Sequence, residues 1–238
     1  MSGRRDGRFR NALILLCVTG AVAAFAPRVT ATEAPPPAAD ARTAQQAALQ
    51  GLVDGNARFV DGKQAPHVLG AERRRELARG QHPQAVVLSC SDSRVPPEYV
   101  FDQQLGQVFV VRTAGNVADG VALGSIEYAV EHLGIPIIVV LGHRSCGAVT
   151  AAVEAHRRHA HPHGNIAEVL KLVMPAVVQA EKAKAPDLLN ASIDANVTLE
   201  AKALVKRSPV IAERVKAGKV RIITAVYDLE SGKVEFRN

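Results

Sequence analysis

Tryptophan is absent from this 238-residue chain, aromatic residues make up only 4 %, and there are two methionines and three cysteines. A core built on large rings is therefore excluded. With 47 % apolar residues, the interior must be filled by Val, Ile, Leu and Ala. Three cysteines are too few for a small disulfide-stapled scaffold. There is also little real excess of charge. The formal net charge is +6, but residues 1–31 hold five Arg and one Asp, and the remainder carries 24 basic and 22 acidic residues. Basicity confined to one end gives no footprint for nucleic acid, so nucleic acid is excluded as the expected partner.

The basic end reads as an export signal. Arg4, Arg5, Arg8 and Arg10 precede an uncharged, mostly apolar run over residues 12–26, and Val29, Thr30 and Ala31 supply small side chains for cleavage after Ala31. The run is short for a membrane span, although retention as an uncleaved anchor is the alternative. Arg4-Arg5 also offers a partial twin-arginine match, weakened by Asp6-Gly7. The expectation is a signal peptide over residues 1–31 and a periplasmic or secreted product with no stable membrane partner after cleavage. A flexible Pro/Ala linker is expected over 32–45 and one domain over 46–238. Removing the signal leaves Cys90 and Cys146, which in an oxidising compartment would either pair as a disulfide or hold a metal.

Periodicity predicts a helix over 41–60 and a second over 71–79 ending at Gly80. Short β-forming runs follow at 85–89, 108–111, 137–141 and 220–226, with an edge strand at 233–236. A helix over 120–133, with Ala122, Leu123, Ile126, Ala129, Val130 and Leu133 inward, separates the second and third runs. A helical hairpin over 166–214, interrupted at Pro175 and Pro186, precedes the fourth. The first and third runs are apolar nearly throughout, the mark of strands covered on both faces. The fold class is therefore α/β: a mostly parallel central sheet of about four parallel strands plus an edge strand, flanked by helices, with an N-terminal helical arm.

Chemistry collects at two strand ends. Cys90 ends the first run, His143 follows the third, and Cys146 comes three residues later, where a helix should begin. If the two strands are neighbours, two thiolates and an imidazole meet in the crevice where open α/β sheets bind ligands. Zinc suits that donor set, and a catalytic zinc keeps three protein ligands and one open position. Asp92 and Arg94, two residues apart, can pair beside the first thiolate, where a carboxylate would orient water. Ser and Asp before a helix also serve as caps, so a purely structural role stands beside the catalytic one.

The stretches Cys90-Ser91-Asp92-Ser93-Arg94-Val95-Pro96 and Gly142-His143-Arg144-Ser145-Cys146-Gly147-Ala148 resemble the paired motifs of the β-class carbonic anhydrases, in their plant-like subgroup with an open site. The resemblance runs from Gly51-Leu52-Val53-Asp54-Gly55-Asn56-Ala57-Arg58-Phe59 to Ala225-Val226-Tyr227-Asp228-Leu229. It implies one Zn2+ per chain on Cys90, His143 and Cys146, a catalytic Asp92–Arg94 dyad, and reversible hydration of carbon dioxide to bicarbonate and a proton by zinc-bound hydroxide. It also implies a homodimer, or a tetramer built from dimers, with sites at the subunit interface. Gln81, Phe109, Tyr128 and the Gly147 amide match substrate-binding positions of the family. Ala114 stands where a Val often lines the pocket. Val87 stands where allosteric members carry Trp, which puts an inhibitory bicarbonate site in doubt although Arg112 is present. A hydrolase of a carbon dioxide analogue such as carbon disulfide, or a non-catalytic zinc-binding domain, are the alternatives. The cluster His156, His159, His161 and His163 is read as a solvated loop rather than a proton relay, and Arg73–Arg74–Arg75 as a solvated helix face. Asn190-Ala191-Ser192 and Asn196-Val197-Thr198 match the glycosylation pattern.

Overall fold

The computed structural model describes residues 38–237. The signal peptide expected over 1–31 and the first part of the linker lie outside the described residues. The rest of the linker is helical, because α1 spans Ala38–Val60. The alanines at 41, 44, 47 and 48 favour helix. Ala41 and Gln45 are also buried, and the Gln45 amide donates to the Gly218 carbonyl at 2.9 Å, so this turn is part of the packed body.

The remaining elements alternate as the apolar runs demand. They are α2 (Ala71–Leu77), β1 (Ala85–Cys90), α3 (Pro97–Val100), β2 (Val108–Thr113), α4 (Gly120–His132), β3 (Ile137–His143), α5 (Gly147–Arg158), α6 (Ile166–Lys182), α7 (Leu188–Arg207), α8 (Pro209–Lys216), β4 (Arg221–Tyr227) and β5 (Val234–Arg237). They build one sheet in the order β2-β1-β3-β4-β5, parallel except for the antiparallel edge strand β5.

Every residue of β1 and β3 is buried. Successive side chains alternate faces. Val86, Leu88, Cys90, Ile138 and Val140 meet α4–α7, while Ala85, Val87, Ile137, Val139 and Leu141 meet α1 and Phe101. The first layer contains no buried aromatic ring, whereas the second adds Phe101 and Tyr227 to its aliphatic residues. No described helix is long and apolar enough to cross a membrane.

Three local expectations fail. Helix α2 ends at Ala78 with an ordinary right-handed cap, and Gly80 lies beyond it without positive φ. Pro175 lies inside α6 rather than breaking it. A proline removes one helix hydrogen bond, but the buried stripe Leu170, Val173, Ala176, Val177 and Ala180 continues through it and fixes the helix from the core side. The hairpin arm expected to reach 214 divides instead at Ser208, whose side chain accepts from the Ile211 N–H and caps α8, with Pro209 at its first turn.

Candidate metal centre

β1 and β3 are direct neighbours, with Ser89 beside Leu141 and Cys90 beside Thr113 on β2. The two chemical stretches therefore leave adjacent strands at the same edge of the sheet. Cys90 ends β1, His143 ends β3, and Cys146 is the cap residue of α5. The turn that carries the chain from β3 to α5 needs left-handed Ser145 (φ 55°).

All three side chains are buried, and their ligand atoms lie within 4.8 Å of one another. Cys90 and Cys146 are free thiols with sulfurs 3.9 Å apart, well beyond disulfide bonding. The His143 Nδ1 lies 2.8 Å from the Arg144 carbonyl. A carbonyl only accepts, so Nδ1 carries the proton and Nε2 presents its lone pair. That Nε2 is buried without a hydrogen-bond partner. Burying a polar atom unpaired is costly. The orphaned nitrogen beside two sulfurs is what a soft divalent cation fits, and the donor set suits zinc.

The sulfurs are prepared unequally. The hydrogen bond to Cys146, helped by His143 and by the backbone N–H groups of Asp92 and Gly115, pulls Cys90 well below its ordinary range against its own desolvation. The Gly115 N–H donates to the Cys90 sulfur at 3.3 Å. Cys146 is pushed up by its bond to Cys90, by burial and by the neighbouring negative sulfur. Cys90 is thus the sulfur that gives up its proton more readily, and a bound cation would displace the proton from Cys146 as well.

Asp92 points into the same space, its Oδ2 3.9 Å from His143 Nε2. Arg94 grips it with three bonds: its backbone N–H and Nε reach Oδ1 at 2.9 Å each, and Nη2 reaches Oδ2 at 2.7 Å. The Arg94 hydrogen bonds hold the Asp92 carboxyl well below the usual carboxylate range. Sequence reasoning gave Arg112 no role at this turn. Its Nε donates to the Cys90 carbonyl at 3.0 Å and its Nη2 to the Asp92 carbonyl at 2.5 Å, so β2 braces the turn that presents both residues. The one available signal was that Arg112 immediately precedes the strand-end residue Thr113 on an otherwise apolar run.

The remaining expected residues divide. Gly147 begins α5 directly after Cys146, and no atom lies within 4 Å of where its Cβ would be. Phe109 and Tyr128 form a ring pair with centroids 6.4 Å apart. However, Phe109 is opposite Val86, four strand positions below the Cys90 level, or roughly 13 Å. Gln81 is exposed and lines a groove of about 520 Å³ with Arg74, Arg79, Leu105 and Gly106. Within one chain, none of these three is brought to the cysteines. The histidine cluster is also separate: His156 bonds Glu181 at 2.8 Å in the last turn of α5, and His159 caps that helix in a left-handed conformation. Asn196 is buried in α7 with its amide bonded to the Gly115 carbonyl, so the pattern at 196 is no accessible glycosylation site.

Residues 85–234 match the family model of carbonic anhydrase. A carbonic anhydrase from Mycolicibacterium smegmatis is 45 % identical over 194 residues, covering 81 % of this chain and 93 % of its own length. The solved β-carbonic anhydrase CcaA superposes with a TM-score of 0.61 at 26 % identity, over 80 % of this chain and 95 % of that one. Tetrameric β-carbonic anhydrases from Sordaria macrospora share the fold with the same TM-score at 24 % identity, over 83 % and 95 %. The likeness spans the two strand-end motifs and nearly the whole described chain, and by it this chain belongs to the β class of the carbonic anhydrase family.

Proposed function

We propose that this chain hydrates carbon dioxide reversibly to bicarbonate and a proton, with one zinc ion held by Cys90, His143 and Cys146. The observation that carries this reading is the buried, unpartnered Nε2 of His143 facing two free sulfurs. Zinc bound there would lower the pKa of a water at its open position and supply a nucleophile near neutral pH. Asp92 is already ionised and locked, so its free oxygen lone pair accepts a hydrogen bond from water and fixes which way that water points. Arg94 holds the carboxylate beside the ligand cluster without letting it close on His143 Nε2, 3.9 Å away, which leaves a position for water. The Gly147 N–H, at the start of α5, is placed to donate to the product anion, an arrangement that the helix dipole favours.

We further propose a homodimer, or a tetramer built from dimers, in which Gln81, Phe109 and Tyr128 complete the neighbouring protomer's pocket. The exposure of Tyr128 (48 %) and Val121 (81 %) on α4, beside the free edge of β2, supports an interface there. The arginine-rich and apolar residues 1–31 support export to the periplasm or beyond.

Stopped-flow hydration on purified protein, with metal analysis, tests the reaction. One zinc per chain without hydration above background would end this reading. Asp92→Asn is expected to keep the zinc and lose roughly 100-fold or more in kcat/KM. Mixing Cys146→Ala protomers with Phe109→Ala protomers tests the shared pocket. Two weak variants should regain activity on subunit exchange, and no regain would place Phe109 outside the site.

A further inference from the structure

The segment between β2 and α4 is a short 3-10 turn over Ala114–Asn116, interrupted at Gly115, and then extended chain, yet Gly115, Asn116, Val117 and Ala118 are all shielded from solvent. Buried backbone outside regular structure needs partners from elsewhere, and here they come from α7. Asn196 and Glu200 lie one turn apart on one face of that helix, at 1 % and 5 % exposure. The Asn196 amide donates to the Gly115 carbonyl at 2.9 Å, and a Glu200 carboxylate oxygen accepts the Ala118 N–H at 2.8 Å. Arg207 Nη1 donates to the Ala118 carbonyl, so that residue is held through both its N–H and its C=O. Gly115 is left-handed (φ 71°), and a Cβ there would sit 3.2 Å from both Ala148 and Val173. It is thus wedged between α5 and α6 with its N–H aimed at the Cys90 sulfur, 3.3 Å away.

A carboxylate costs more to bury than a leucine, and burial raises Glu200 above its ordinary value. Packing alone would not call for it, whereas the Ala118 N–H would otherwise be orphaned. We propose that Asn196 and Glu200 are positioning residues for the metal centre: by pinning residues 115–118 to α7 they aim the Gly115 N–H at the Cys90 sulfur and so set how strongly that thiolate donates. This rests on the reading of Cys90, His143 and Cys146 as metal ligands. An N–H pointed at a sulfur withdraws electron density from it and fixes its direction. Loss of such outer partners typically costs about 10- to 100-fold in metal affinity.

Two readouts test this without relying on turnover: zinc affinity by chelator competition, and the thiolate-to-cobalt charge-transfer band of the cobalt-loaded protein. Asn196→Leu and Glu200→Leu keep volume and remove the bonds. Each should bind zinc about 10-fold or more weakly and shift the band to longer wavelength, as a more strongly donating sulfur requires. Glu200→Gln retains an acceptor for Ala118 and should restore both. Leucine variants that melt earlier but keep wild-type affinity and band position would reduce α7 to scaffold and overturn the proposal. Wild-type protein that binds neither zinc nor cobalt would instead overturn the metal reading beneath it. Should the leucine variants not fold, cadmium-loaded wild-type protein decides: scalar coupling between the metal nucleus and the Gly115 amide proton is expected across the N–H···S bond, and its absence refutes the inference.

Discussion

Gly142 immediately precedes His143 on β3, and replacing it with alanine tests whether close packing of α7 onto the strand end positions the imidazole. A Cβ at residue 142 would lie 2.4 Å from Val197 Cγ2, where ordinary carbon contacts are about 3.5–4.0 Å. Something must therefore move by more than about 1 Å. The strand resists: β3 is bonded to β1 on one side and β4 on the other, and Gly142 is in register with Val226. Val197 resists too, because a β-branched residue in a helix has one strongly preferred rotamer and this one is 1 % exposed. Overpacking of this kind costs about 1–3 kcal/mol, and two rigid partners argue for the upper end. For a chain of this size that lowers Tm by roughly 5–10 °C.

The assay is a double-mutant cycle with Val197→Ala, by urea and thermal unfolding at fixed protein and zinc concentration, since assembly and metal both shift apparent stability. Val197→Ala alone should cost about 2 kcal/mol through lost burial and a cavity. The double variant should be less destabilised than the sum by about 1–2 kcal/mol, because the new methyl enters the space vacated. Zinc affinity should fall in Gly142→Ala and recover in the double variant. Additivity within about 0.5 kcal/mol, or a Gly142→Ala protein as stable as wild type, would refute the packing argument.

Cys146→Ala leaves one sulfur and one imidazole, too few for a closed grip, so purified protein should contain far less than one zinc per chain by mass spectrometry. Retained stoichiometric zinc would remove Cys146 from the ligand set. Glu200 gives a pH prediction. Burial raises its carboxyl above the ordinary 4.5, so the folded chain binds a proton that the unfolded chain has released. Stability from this source is complete below pH 4.5 and is lost as pH rises through the folded value. Glu200→Gln should therefore gain on wild type as pH rises through that window in parallel urea titrations, and a difference independent of pH would contradict the assignment. Replacing His156, His159, His161 and His163 together by Gln should leave turnover in dilute buffer unchanged, since His156 is already engaged by Glu181. A clear fall would reinstate a proton relay.

The sheet was legible because its signal is local. Nearly continuous apolar runs at 85–89 and 137–141 are unlike any amphipathic helix, and they became the two strands buried on both faces. The Cys-His-Cys cluster was legible for the same reason, since Cys90 and His143 end the strands that the runs mark out and Cys146 follows three residues later. What escaped notice depends on distant pairing. Asn196 meets Gly115 across 81 residues, and Glu200 meets Ala118 across 82. A lone Asn or Glu on a helix reads as solvated surface, and the 196–198 triplet even reads as a glycosylation site. Pro175 misleads in the opposite direction: the local rule against proline in helices is outweighed by five buried apolar side chains.

Phe109 and Tyr128 expose a different gap, one that concerns the copy rather than the residue. A motif match assigns a side chain its chemistry, yet strand register then fixes where it sits. Register places Phe109 beside Val86 and Thr113 beside Cys90, a separation of roughly 13 Å along the sheet. A phenyl ring does not reach that far, and no rotamer changes it. If Phe109 walls the pocket, the pocket it walls is therefore not the one on its own chain. Gln81, exposed on the far side of β1, is under the same constraint. On the proposed reading the metal ligands belong to one fold and the substrate wall to an interface, so dissociating the protomers should spare zinc binding while abolishing carbon dioxide hydration.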